Sequence, residues 1–361
     1  MKKLCFFSGD ITRSGGIEKV SAMIANELAL SNKYEVCFLS LCEQAQVPYF
    51  AIDERIKRYT LGDKWMKPGI GYLPLISKLK KFLTEKEIDV IIDGDIVLDS
   101  LAIQACKKLK TKVVSWEHFN CDYELSVFYR RRILKYSVKR SDYIITLTDR
   151  DKLLYQQRLN RTSNIETIVN PYEQVISDSK KEKENLIVTA ARLVHYKGID
   201  YLAEVAPVVL KAHPDWKWFV LGDGEDRAIL EKVIEKENLN GQLVVTGVVE
   251  DVNPYLEKAK LFVLTSRMEG LPMCLLEAKA HGMPCISFDV LTGPRELIEE
   301  GVNGYLIEPF ACDDMISRIE ELITDEEKRK LFASKASIHL EAYQIDKIME
   351  KWNKVIDSLC E

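Results

Sequence analysis

The chain has little of what would send it to a membrane, an oxidising compartment or a nucleic acid. Nowhere in its 361 residues do roughly 18 apolar side chains run together, so a membrane-spanning helix is excluded by length. The opening MKKLCFF is interrupted by Ser8, Gly9 and Asp10 and no small-residue cleavage site follows, so the protein is expected to stay cytoplasmic. Nine cysteines (5, 37, 42, 106, 121, 274, 285, 312 and 360) are odd in number and never spaced C-x-x-C, which reads as reduced thiols used for packing. Charge of one sign is missing too: 51 Lys+Arg against 56 Asp+Glu leave a net of −5, so no global positive field recruits nucleic acid. Histidine is scarce, five in all, and no His or Cys grouping has metal-ligand spacing. No G-x-G-x-x-G occurs, and Gly222-Asp223-Gly224 lacks a third glycine, so no nicotinamide or flavin cofactor is expected.

What is present is the composition of an ordinary globular protein, 47% apolar and 30% charged. At roughly 150 residues per domain the length implies two domains. Short β-rich runs at Leu4–Ser8, Glu35–Leu41, Val90–Ile92, Val113–Trp116 and Tyr143–Leu147 alternate with helical or irregular segments. The first helix carries its stripe at Val20, Ile24 and Leu28. After Asn170-Pro171 the pattern stops in the charged stretch SDSKKEKEN, a linker. It resumes with strands at Leu186–Ala190, Trp216–Leu221, Leu243–Thr246, Leu261–Thr265 and Cys285–Phe288. Helices at Ile199–Ala212, Arg227–Glu237, Val252–Lys260 and Cys274–His281 separate them. Buried strands alternating with helices imply an α/β protein with parallel sheets. The expected division is a Rossmann-like domain over 1–170, a linker over 171–185 and a second Rossmann-like domain over 186–342. A closing amphipathic helix spans 343–361, with Ile345, Ile348, Trp352, Val355, Ile356 and Leu359 on its apolar side.

In such folds ligands sit beyond the carboxyl ends of the strands, and the chemistry-bearing residues fall in loops that follow strands. Gly15-Gly16 opens the first helix, where free N–H groups attract an anion; taken alone it is equally a plain turn. Arg192 closes the strand Leu186–Ala190 and Lys197-Gly198 follows before a helix, two fixed cations suited to a diphosphate. The run Ser266 to Glu277 is the strongest signal. It sets Glu269, Gly270 and Leu271 just before a helix whose first turn Pro272 is expected to open, and Glu277 inside that helix amid apolar neighbours. One carboxylate suits sugar hydroxyls, the other a ribose. His118 ends a strand as Trp116-Glu117-His118, either a bonded loop histidine or a donor to a reacting sugar. Asp93-Gly94-Asp95 has the D-x-D spacing of a divalent-metal site but reads better as a solvated loop, so no metal is expected. Arg130, Arg131, Arg132, Lys135, Lys139 and Arg140 interleave with Val127, Phe128, Ile133, Leu134 and Val138. That pattern is either a solvated basic face over a core stripe or a peripheral contact with anionic lipid.

Glu269-x7-Glu277, Ala191-Arg192-Leu193-x3-Lys197-Gly198, Gly15-Gly16 and the Asn170-Pro171 before the linker together resemble the family 4 retaining glycosyltransferases, over roughly residues 1–310. The phrase from Ser287 to Glu296 is similar to members that build bacterial capsules, lipopolysaccharide and other surface glycans. It departs from the family at Thr292-Gly293-Pro294-Arg295, where Gly-Gly is frequent. The resemblance implies a GT-B fold: two Rossmann-like domains, the donor in the cleft between them, and a terminal helix returning to the first. It implies a nucleotide-sugar donor, UDP-linked, and a glycan or lipid-linked glycan acceptor, with no metal. Arg192 and Lys197 would bind the diphosphate, Glu277 the ribose, and Glu269 with the amides of Gly270 and Leu271 the transferred sugar. Gly15 and Gly16 would approach the phosphate, His118 would contact the sugar, and the base would lie near Gly247–Asp251. A nucleotide-sugar 2-epimerase and a non-catalytic nucleotide-sugar binding module remain open on the same residues.

Overall fold

A computed structural model describes residues 1–62, 72–173 and 183–360, so most of the charged linker lies outside the described residues. The chain divides into two compact units, Met1–Pro171 with Ile345–Glu361, and Tyr172–Gln344.

The first unit runs β1 (Lys2–Ser8), α1 (Gly16–Leu30), β2 (Tyr34–Ser40), β3 (Lys57–Thr60), α2 (Tyr72–Glu85), β4 (Val90–Asp93), α3 (Ile96–Cys106) and β5 (Lys112–Glu117). It continues through α4 (Cys121–Ser126), α5 (Phe128–Ser137), β6 (Tyr143–Thr146), α6 (Asp149–Leu159) and β7 (Ile165–Thr167). Its strands pair in the order β3-β2-β1-β4-β5-β6-β7, parallel throughout. Parallel pairing needs a crossover between strands, which the helices supply. The edge strands β3 and β7 lack long apolar runs (KRYT and IET), and their polar sequence hides them from a reading based on hydrophobic period.

The second unit runs β8 (Leu186–Ala190), a 3₁₀ turn at His195–Lys197, α7 (Ile199–Ala212), β9 (Lys217–Leu221), α8 (Arg227–Glu237), β10 (Leu243–Gly247), α9 (Asn253–Lys258) and β11 (Leu261–Leu264). Then come α10 (Met273–Ala280), β12 (Cys285–Phe288), α11 (Pro294–Leu297), β13 (Gly304–Ile307), α12 (Cys312–Thr324) and α13 (Glu326–Ser334). The strand order is β10-β9-β8-β11-β12-β13, again parallel. Val188, Val220, Val263 and Ile286 are fully buried along these strands, as strands covered on both faces require.

The closing helix α14 (Ile345–Leu359) belongs to the first unit. Its buried Ile348, Trp352, Val355 and Ile356 recur at helical spacing, and Trp352 packs edge-on against Trp116 at 4.9 Å. Each such side chain contributes roughly 1.5–3 kcal/mol by leaving water, enough to hold a helix that local propensity alone would leave marginal. Among the described residues no helix is long and apolar enough to cross a membrane.

Candidate functional site

Each sheet reverses its direction of growth once, between β1 and β4 in the first unit and between β8 and β11 in the second. The loops leaving two such neighbouring strands diverge to opposite faces and open a crevice where ligands bind. In the second unit the loop after β8 carries Arg192 and Lys197, and the loop after β11 carries Glu269, Gly270 and Leu271. Two runs about 70 residues apart in sequence are thereby brought together: Lys197 Nζ lies 2.6 Å from Glu269 Oε1. Both partners are sheltered, the side chains 18% and 5% exposed. Burial pulls the Lys197 ammonium down, but Glu269, with Cys274 and Tyr196 beside it, makes the net shift upward, so Lys197 stays charged.

The approach of the two loops depends on a missing side chain. Gly198 adopts a left-handed φ of +67°, and a Cβ there would stand 1.9 Å from the carbonyl oxygen of Thr265. The Glu269 loop is held from the other side by Thr292 Oγ1, which donates to the Glu269 carbonyl at 2.6 Å. Gly293 (φ +97°) completes this contact; a Cβ there would meet the Gly270 oxygen at 2.7 Å. Thr292 and Gly293 therefore brace the Glu269 loop.

Arg192 is exposed, its guanidinium bonded to the Tyr196 hydroxyl and lying over that ring at 5.6 Å, and no described acid pairs with it. Glu277 is half-buried on α10 between buried Leu276 and Ala278. Pro272 caps α10 with an extended ψ of 105°, so it stands just outside the first turn it was expected to open, and Met273 begins the helix one residue ahead of the Cys274 start read from the sequence. Sequence reasoning missed Arg267 and Thr292, although both lie within runs it had singled out; their partners Asp200 and the Glu269 carbonyl could not be read from spacing.

At the reversal of the first sheet, Gly15 caps α1 and the Glu18 carboxylate lies against it. A Cβ on Gly16 would meet nothing within 4 Å, leaving that helix start open to approach. His118 follows β5 over Gly94, with its ring 4.4 Å from Trp116. Its Nε2 is buried without a partner, and burial holds its pKa down to about 3, so the imidazole is neutral at ordinary pH. A hollow of about 380 Å³ opens beside these loops, lined by Phe6, Ile92, Trp116, Glu18, Asp95 and Arg130 among others.

Asp93 and Asp95 part company. Asp95 caps α3 by accepting from Val97 N at 2.8 Å, whereas Asp93 is buried beside Asp99, where lost solvation and that neighbouring acid raise its pKa. The solvated loop expected for this D-x-D is thus replaced by a cap and a core acid, and no metal-ligating group of three or more forms among the described residues.

The basic segment is not a uniform outward face. Arg130 points inward, its side chain 8% exposed, and bonds Glu124 twice at 2.7 Å. Phe128, expected in the core, is 64% exposed. The outward stripe of α5 is Phe128, Arg131, Arg132 and Lys135, continued by Lys139 and Arg140, with the two arginines over the Phe128 ring at 5.7 and 5.2 Å.

The chain matches the family described as Glycosyltransferase Family 4 over residues 14–173 and that described as Glycosyl transferases group 1 over 172–339. It is 31% identical over 359 residues to an uncharacterized glycosyltransferase of Haemophilus influenzae, covering 99% of this chain and 100% of that protein. It is 29% identical over 371 residues to GalNAc-alpha-(1->4)-GalNAc-alpha-(1->3)-diNAcBac-PP-undecaprenol alpha-1,4-N-acetyl-D-galactosaminyltransferase of Campylobacter jejuni, covering 99% and 98% of the two chains. Among solved structures, a point mutant of S. aureus TarM in complex with Fondaparinux, alpha-GlcNAc-glycerol and UDP superposes with a TM-score of 0.83 at 17% identity, over 98% of this chain and 99% of that one. Two parallel sheets with reversing strand order, matched end to end by these relatives, make the chain a family 4 glycosyltransferase of the GT-B fold.

Proposed function

We propose that this glycosyltransferase moves a hexosyl or N-acetylhexosaminyl unit from a UDP-linked sugar to a glycan or lipid-linked glycan acceptor in surface-polysaccharide synthesis, with retention at the anomeric carbon. The observation that carries the reading is the Lys197–Glu269 pair at the reversal of the second sheet. The UDP bound in the TarM structure and the undecaprenol-linked acceptor in the Campylobacter relative's name support the choice of donor and acceptor.

As the bond to the sugar breaks, charge develops on the β-phosphate, and cations fixed beforehand stabilise that state more than the ground state. Lys197 and Arg192 take this role. A diphosphate carries more charge than one carboxylate, so it competes with Glu269 for the Lys197 ammonium. Glu269 is then left to accept hydrogen bonds from sugar hydroxyls, with the Gly270 and Leu271 amides beside it, and Glu277 binds the ribose. The open helix start at Gly15-Gly16 suits a phosphate and the neutral His118 a sugar hydroxyl. The leaving phosphate takes the acceptor's proton on the same face. The stripe Arg131–Arg140 with exposed Phe128 rests peripherally on anionic lipid at the inner face of the membrane.

The test is to incubate the protein with UDP-sugars, with and without a lipid-linked glycan extract, and to follow UDP release and the anomeric configuration of the product by NMR. Acceptor-dependent release with an α-linked product from an α-linked donor is expected. Donor turnover to an epimeric sugar without acceptor, or binding without turnover, would overturn the reading.

A further inference from the structure

We infer that Arg267 is a positioning residue, whose guanidinium fixes the turn carrying Lys197 against the loop carrying Glu269 so that the pair is assembled before the donor arrives. The inference rests on the donor site proposed above. Arg267 stands two residues before Glu269, and its backbone N–H donates to the Tyr196 carbonyl at 2.9 Å. Its side chain crosses to the other loop: Nη1 donates to the His195 carbonyl at 2.9 Å and to Asp200 Oδ1 at 2.6 Å, and Nη2 donates to Asp200 Oδ2. The guanidinium also lies over the Tyr201 ring at 4.1 Å. Lys197 sits between His195 and Asp200, so this one side chain holds the turn on both sides of the lysine. Thr265 adds a further tie, Oγ1 donating to the Lys197 carbonyl at 3.3 Å.

A role in global stability explains this arrangement poorly. Asp200 is 44% exposed in the pair, and ion pairs so open to water contribute little to folding. Its geometry, by contrast, is specific: two parallel N–H···O bonds, a stacked ring and a backbone carbonyl fix the plane of the guanidinium, which a lysine ammonium cannot reproduce. The flexible Lys197 side chain gains most from such fixing, since a shift of about 1 Å in a group that meets the reacting centre costs up to roughly a hundredfold.

The experiment is a double-mutant cycle on UDP affinity by calorimetry, with donor KM and kcat measured alongside. Arg267→Met is expected to weaken UDP about tenfold and to lower kcat about ten- to a hundredfold, because Lys197 meets the charge that develops as the sugar leaves. Arg267→Lys is expected to recover only part of that loss. The decisive arm is Arg267→Met combined with Lys197→Ala: if Arg267 acts through Lys197, the double variant binds UDP within about twofold of Lys197→Ala alone. Multiplicative effects, or unchanged UDP affinity in Arg267→Met, would overturn the inference. Should Arg267→Met fail to fold, Asp200→Asn keeps the arginine and its ring contact, weakens the fork, and carries the same cycle. A wild-type protein that binds neither UDP nor a UDP-sugar sinks the donor site itself, a result separate from either arm of the cycle.

Discussion

At the reversal of the second sheet most charges are paired, Lys197 with the buried Glu269 and Arg267 with the more open Asp200, while Arg192 is exposed and meets no described acid; Arg295 pairs with Asp289 beyond the next strand, β12. Around the same position in the first sheet they are buried and mostly acidic. Asp93, Asp99, Glu117, Glu124 and Asp151 are each no more than 3% exposed, and among the described acids Arg130 pairs with Glu124 and Asp95. The difference decides what each region can do. A paired charge at an edge can change partners when a stronger anion arrives. A carboxyl taken wholly out of water without a cation instead holds its proton, as the raised pKa values of Asp93 and Glu117 indicate, both driven first by burial. On the function proposed above, the second unit suits an exchange of partners and the first a fixed scaffold beside the hollow.

The contrast is broken most severely at the paired charges. Lys197→Ala is expected to lower kcat/KM by about 10²–10³, the loss typical of one transition-state donor; steady-state turnover near wild type would remove the second unit's charges from the account. Next in size is a comparison of glycines from the two regions. Gly293→Ala forces a Cβ into the Gly270 carbonyl at a left-handed φ, so donor KM is expected to rise about tenfold and the unfolding temperature to fall by several degrees. Gly16→Ala meets open space and is expected to leave the unfolding temperature within about one degree while reducing turnover. Equal melting losses in the two would erase the distinction.

How much of this was legible differs between the regions for the same reason. Lys197, Glu269 and Glu277 announce themselves because each lies in a short run where glycine, charge and helix start coincide. Strands such as Leu186–Ala190 and Cys285–Phe288 were readable because burial on both faces makes them continuously apolar. The edge strands β3 and β7 were not, being polar. Arg130 was misassigned because its neighbours are all cationic: nothing in RRR tells which arginine meets Glu124 and Asp95, a choice made by the packing of α5 on α3 and α4. The acid cluster was equally invisible, since Asp99, Glu117 and Asp151 come from separate elements that meet only through the sheet order.

Smaller effects sharpen the picture of the first unit. Arg132→Gln, on the outward stripe of α5, is expected to weaken binding to vesicles rich in anionic lipid about fivefold in a sedimentation assay, the worth of one cation near a charged surface. No binding by the wild type would strike the stripe from the proposal. Burial raises the Asp151 carboxyl to about 7, although the Cys121 amide pulls the other way. Because the folded pKa exceeds the unfolded one, the stability tied to this proton is complete below about pH 4 and is lost as pH rises toward 7. Asp151→Asn keeps the acceptor for the Cys121 amide, so it is expected to melt a few degrees above wild type at pH 8 and level with it near pH 4. A variant that melts lower at pH 8 would show the acid to be charged and paired after all.

The central claim is that a diphosphate takes Lys197 from Glu269, and it is tested most directly by UDP affinity in two single variants. Removing the ammonium in Lys197→Ala should weaken UDP binding. Removing only the competing charge in Glu269→Gln should tighten UDP binding by about two- to tenfold even as sugar transfer is lost. If Glu269→Gln weakens UDP as Lys197→Ala does, the two side chains hold the nucleotide jointly and the exchange described here does not occur.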